Sequence, residues 1–173
     1  MNRRYWLFAA VVGALLGATA LPLDGVVQAD APTCSATTPE LDSMARRELV
    51  FVSNDGRRVT VAARVAREPT QLRAGFQHIC PATIDRTAIL FIFPVAVRTR
   101  FHMRNVHGAL DIAFIDADGA VVDVVRMEPY GADPDSARPV YGTSSAFQYA
   151  LEAAPGFFDS RGIAPGKSRM LLE

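Results

Sequence analysis

Two Asp-Gly pairs, Asp55-Gly56 and Asp118-Gly119, each interrupt a stretch in which apolar and polar residues alternate. Asp-Gly suits the short loops of β-hairpins, where the central residues must reach positive φ. Period-two alternation sends successive side chains to opposite faces of a strand. The first pair lies between Glu48–Ser53 and Arg57–Val65, where Val59, Val61, Ala63 and Val65 alternate with Arg58, Thr60, Ala62 and Arg64. The second joins Leu110–Asp116 to Val121–Met127. Asp116-Ala117-Asp118-Gly119 also begins like a calcium loop, but the acidic residue expected further on is absent and Val121-Val122 continue as strand, so it reads as a turn.

The rest of the chain repeats this grammar. Glu68-Pro69-Thr70 opens a short helical segment to about His78, with Leu72 and Phe76 four apart on one face. Pro81 marks a loop. Ala88–Phe93 is a continuous apolar run ended by Pro94, which predicts a strand buried on both faces. Val97–Met103 alternates and predicts a strand with one wet face. Glu128–Arg138 is a polar loop, Ala146–Leu151 a further strand, Gly156–Arg161 a short helical turn closed by Gly162, and Ser168–Leu172 a last strand. The expectation is a mainly β fold bordering on α+β: a compact antiparallel β-barrel or sandwich with two short helices.

The N-terminus reads differently. Arg3-Arg4 precede an uncharged apolar stretch, Tyr5–Leu21, and Val27-Gln28-Ala29 offers small residues at the spacing a signal peptidase requires. Residues 1–29 are therefore expected to be a signal peptide, or an uncleaved anchor helix, although the apolar stretch is short for the roughly 20 residues of a membrane span. Either way the domain, residues 48–173, lies outside the cytoplasm, periplasmic or secreted or tethered to the inner membrane. Any membrane contact is then through an uncleaved N-terminus. Residues 30–47, polar and carrying Pro32 and Pro39, read as a linking arm. In an oxidising compartment the two cysteines, Cys34 and Cys80, suggest a disulfide. Beyond residue 29 there are 16 basic and 17 acidic residues, without the basic excess that nucleic-acid binding requires.

The central residues Phe101-His102-Met103-Arg104-Asn105-Val106, followed by Leu110-Asp111-Ile112-Ala113-Phe114-Ile115-Asp116, resemble the signature of domain-of-unknown-function family 192 of bacteria and archaea. Arg73-Ala74-Gly75, Phe91-Ile92-Phe93, Glu152-Ala153-Ala154-Pro155-Gly156, Gly162-Ile163 and Gly166 fit in order, so the resemblance covers roughly Val50 to Leu172. It implies a small, mostly β fold, frequent export and no established activity. His102 stands where the pattern has Trp, Val106 where it has Thr, and Phe76-Gln77-His78 replaces its Leu-Met.

Asp111 is the most unusual single residue. A carboxylate among Leu110, Ile112 and Phe114 must be paired, hydrogen-bonded or protonated once buried. The short segment Val106-His107-Gly108-Ala109 can bring the ends of its flanking strands together, which predicts one hydrogen-bonded cluster of Arg104, Asn105 and Asp111 with His102 beside it. His102, His107 and Asp111 could in principle form a two-His-one-carboxylate set. Their spacing follows no metal motif, so no metal and no cofactor is assigned. Ser144-Ser145 lacks a nucleophile elbow, no Cys-His pairing is readable, and the glycines form no phosphate loop. Three functions remain: an extracytoplasmic binding or accessory module whose partner is a small ligand or an envelope protein; a small hydrolase-like or metal-dependent enzyme with a polar pocket around Asp111; and a structural envelope protein acting through an edge strand.

Overall fold

A computed structural model describes residues 34–132 and 138–172; the signal or anchor segment expected at 1–29 lies outside the described residues. In chain order, α1 (Pro39–Ser43) leads into β1 (Ala45–Val52) and β2 (Arg58–Ala66). Next come α2 (Pro69–Ala74), α3 (Pro81–Ile84), β3 (Ile89–Val97), β4 (Phe101–His102), β5 (Leu110–Ile115) and β6 (Val121–Met127). The chain ends through β7 (Val140–Tyr141), β8 (Phe147–Ala153), a 3-10 turn (Asp159–Arg161) and β9 (Arg169–Met170).

Both hairpins form as the alternation predicts, β1 with β2 and β5 with β6, all antiparallel. Seven strands make one curled sheet in the order β6-β5-β8-β3-β2-β1-β9, and β4 pairs separately with β7. The short β9 pairs with β1 and also bridges Ala120 at the head of β6, so it ties the two margins of the sheet together at one end. The fold is thus mainly β, a half-barrel. One pair is parallel: β2 runs beside β3, and the connection between them carries α2 and α3, as a parallel crossover requires.

Several elements differ from expectation. The segment read as a linking arm contains α1 and the start of β1, and Leu41 and Met44 are buried in the core. Thr38 caps α1, its Oγ1 accepting from Leu41 N at 3.2 Å, and Pro39 occupies the first turn. Pro81 opens α3 where a loop was expected, because proline suits the first helical position as well as it suits a turn. With the Gly156–Arg161 piece reduced to a 3-10 turn, the described residues hold three short α-helices. The strand ended by Pro94 in sequence continues to Val97. Its pairing with β8 is irregular between Ile92 and Val97, which is where a residue without an N–H can sit. The alternating stretch Val97–Met103 keeps only Phe101–His102 as strand; Phe101 and Met103 pack into the core, while Thr99 and Arg100 belong to no strand.

The sheet buries both faces. Ala66, Ile89, Phe91, Ile112, Phe114 and Ala150 pack under the helices with Leu41, Phe76 and Ile84. Val61, Ala63, Leu90, Ala113, Leu151 and Ala153 form a second core with Phe51, Phe158, Ile163 and Met170. Cys34 and Cys80 form the expected disulfide, with Cα atoms 4.9 Å apart, and Ser35 pairs with Ile79 beside it.

Candidate functional site

The register of β8 brings an unexpected carboxyl into the first core. Glu152 stands opposite Ile89 on β3 and Ile112 on β5, and so shares their face. It is 6% exposed. Burial without a compensating partner pushes its carboxyl up to about 8, so at neutral pH it carries a proton.

Glu152 lies on the floor of a cleft of about 350 Å3, between α2 with its following turn and the segment 99–106. Gly75 closes α2 at φ +47 and ψ −130. A Cβ there would stand 3.3 Å from Phe91 Cζ and 3.5 Å from Glu152 Oε2, so the absence of a side chain lets the backbone lie close to the floor. The walls are aromatic: Phe91 and Phe101 meet edge to face with centroids 5.3 Å apart, and Phe93 joins them. Arg73, Arg100, His102 and Arg104 surround the mouth. All four are exposed, and no described residue forms a salt bridge with any of the three arginines. Arg104 N donates to His102 Nδ1 at 3.3 Å.

Of the four residues singled out in the sequence, His102 and Arg104 line this cleft. Asn105 stands next to it: it has φ +57, its Nδ2 donates to Gln77 Oε1 at 3.3 Å, and its carbonyl accepts from His78 N at 2.7 Å. Asp111 is elsewhere, and the predicted cluster with Arg104 and Asn105 does not form. Asp111 stands opposite Ala153, one residue out of phase with Glu152, and period two sends it to the other face of the sheet. There its carboxylate is paired with Arg126 across the β5–β6 hairpin and accepts from Gly156 N at 2.6 Å. That pairing raises the Arg126 pKa, chiefly through the side-chain hydrogen bond. Asp111 therefore anchors the turn after β8. His107 is half-buried, away from the cleft, and its Nε2 has no hydrogen-bond partner among the described residues.

Sequence reasoning did not mark Glu152, Arg73 or Arg100 as site residues, although Arg73 and Glu152 lie in segments that carry the family resemblance. The signal for Glu152 was present: a carboxylate in Tyr149-Ala150-Leu151-Glu152-Ala153-Ala154 is as anomalous as Asp111 among its own apolar neighbours. A wider groove, of about 760 Å3, opens on the opposite face over Leu49, Val65, Ile92 and Tyr149. Its buried polar side chain, Gln71, is hydrogen-bonded at both ends: Nε2 donates to Ser43 Oγ, and Oε1 accepts from the N–H groups of Arg67 and Glu68. The Glu152 cleft thus presents a carboxyl without a hydrogen-bond partner among the described residues to a space that a ligand can enter.

No curated protein shows significant similarity to the chain. Among solved structures, it is similar to a protein of Sinorhizobium meliloti 1021 provisionally described as a transcription regulator, with 20% identity, a TM-score of 0.63, and coverage of 75% of this chain and 95% of that one. It is also similar to a protein of unknown function from Novosphingobium aromaticivorans, with 18% identity, a TM-score of 0.60, and coverage of 80% and 100%. At those identities the likeness concerns the fold alone. The model of the family described as Uncharacterized ACR, domain of unknown function 192, matches residues 50–170, and the chain belongs to that family.

Proposed function

We propose that the protein is an exported ligand-binding module of the cell envelope whose site is the cleft floored by Glu152. One observation carries this reading: a buried carboxyl, without a hydrogen-bond partner among the described residues, at the base of an open aromatic cleft. A carboxyl held protonated by its surroundings in a cleft is characteristic of sites where a function uses the group. The signal-like N-terminus and the paired cysteines support an extracytoplasmic setting. The test is a thermal-shift screen of small molecules and metals, followed by amide NMR of each hit. A ligand of this site raises the melting temperature and moves the resonances of Gly75, Phe101 and Glu152; hits that move only other surfaces refute the assignment. Export has its own test. Protein recovered from the envelope begins near Asp30, and full-length protein in the soluble cytoplasm would sink that part of the reading.

A second reading is a small enzyme. It now attaches to Glu152 instead of Asp111, since a carboxyl with a pKa of about 8 is a general acid at neutral pH. Glu152→Gln separates the two readings. An enzyme keeps ligand binding and loses turnover, whereas a binding module has no turnover to lose.

A further inference from the structure

Resting on the cleft as the ligand site, we propose that its ligand is a small organic anion with an apolar body, held by Arg100 and Arg104 at the mouth and hydrogen-bonded by Glu152 at the inner end. Three features converge on this class. The charged and titratable groups lining the cleft are Arg73, Arg100, His102 and Arg104 at the mouth and Glu152 on the floor; its cross-strand neighbours Ile89 and Ile112 add none. Every charge fixed at the mouth is thus positive, and no described carboxylate neutralises those arginines. A guanidinium presents a planar fork suited to carboxylate or phosphate oxygens. The middle of the cleft is Phe91, Phe93 and Phe101, which takes an apolar body and gives it no polar partner. At the floor the protonated Glu152 offers one O–H donor, so the inner end of the ligand carries an acceptor such as a hydroxyl or carbonyl oxygen.

The cleft volume of about 350 Å3 is near the small end of the roughly 300–1,000 Å3 typical of ligand pockets, which fits a single-ring or short branched molecule. A cationic ligand of the same shape would approach through three like charges and meet a neutral carboxyl at the end. The anion instead gains at the mouth and leaves the floor protonated. Its affinity is therefore tied to the Glu152 proton and falls as pH rises through about 8, where the carboxyl ionises and repels it.

A matched series decides the point: para-hydroxyphenylacetate, tyramine and tyrosol share a ring and a phenolic hydroxyl and carry an anionic, cationic or neutral tail. Each is titrated into the mature protein and followed by the amide resonances of Gly75, Phe101 and Glu152. We expect para-hydroxyphenylacetate to bind at least about tenfold more tightly than tyramine, and the double variant Arg100→Gln/Arg104→Gln to lose about tenfold or more. That variant should keep its melting temperature, since both residues are exposed. Glu152→Gln keeps a donor at the floor but removes the titrating proton, so whatever affinity it has for the anion should no longer fall between about pH 7 and pH 9. Tighter binding of tyramine, or an anion affinity indifferent to both arginines, overturns the ligand class and leaves the cleft standing as a site. Failure of all three probes to move the cleft resonances at millimolar concentration, in a protein that still binds screen hits there, also overturns the class. If the screen hits avoid the cleft as well, the functional reading falls with it.

Discussion

Glu152 has a carboxyl pushed by burial from 4.5 up to about 8. In the unfolded chain the same group ionises near its ordinary value, so between those two pH values folding takes up a proton. The stability it contributes is fully present below about pH 4.5 and is lost as pH rises toward 8, at about 1.4 kcal/mol per unit, then levels off. Glu152→Gln keeps the shape and removes the titration. Urea unfolding at about pH 5 and pH 8 should show the wild type losing up to about 4 kcal/mol relative to the variant. Parallel behaviour of the two proteins would mean that the carboxyl stays hydrated in the fold. Asp111 differs from Glu152 in having its partners in place. Asp111→Ala leaves the N–H of Gly156 without its acceptor, while Arg126, with a side chain 48% exposed, falls back into water; the change should cost about 1–3 kcal/mol in denaturant unfolding at neutral pH. Arg126→Ala leaves the Asp111 carboxylate, its side chain 9% exposed, with only the Gly156 N–H, and should cost about 3 kcal/mol or more. A loss below about 1 kcal/mol for Arg126→Ala would show that water reaches the carboxylate once the arginine is gone.

At the level of elements, the hairpins were legible in the sequence and the crossover was not. Alternation plus Asp-Gly is local information, and β1–β2 and β5–β6 follow from it directly. The parallel pairing of β2 with β3 depends on how a connection of two short helices packs, and no local pattern encodes that. The proline signals were ambiguous for a physical reason: Pro39 and Pro81 start helices, whereas Pro94 sits inside a strand at an irregular pairing. The same limit applied to the site. Asp111 was rightly marked as needing a partner, but a shift of one residue decides which face it serves, and register is a tertiary property. The closure by β9 also gives an element-level prediction. Gly119 has φ +86, and a Cβ on it would lie 2.2 Å from the Met170 carbonyl oxygen. Gly56 has φ +81 with nothing within 4 Å. Gly56→Ala should therefore cost only the backbone conformation, about 1–2 kcal/mol. Gly119→Ala adds a clash with backbone and should cost clearly more, about 3 kcal/mol or above, with faster amide exchange at Val121 and Met170. Equal costs for the two variants would mean that β9 yields without loss and does not hold the sheet margins together.

On the scale of the whole molecule, the disulfide joins the start of the described chain to the turn that enters α3, across 46 residues of sequence. Within that loop lie α1, both strands of the first hairpin and α2, so the bridge constrains the unfolded chain over a third of the domain. In the chain-entropy view, closing a loop of this length contributes about 4 kcal/mol, and it does so by limiting the unfolded state. The folded arm has its own ties: Ser35 N donates to His78 O at 2.8 Å, Cys80 N donates to Ser35 O at 2.9 Å, and Thr83 Oγ1 donates to Ala36 O at 2.9 Å. Those hydrogen bonds hold the arm when the bridge is cut, so the native fold should persist while the melting temperature falls. The expected result for Cys34→Ser/Cys80→Ser is a protein with native-like amide spectra in the cleft and a melting temperature lower by about 10 °C or more. Thiol counting on wild-type protein, unfolded without reductant, should find no free thiol. Loss of the arm resonances with an unchanged melting temperature would instead mean that the bridge serves only to fasten the arm, and that the unfolded chain is not constrained by it.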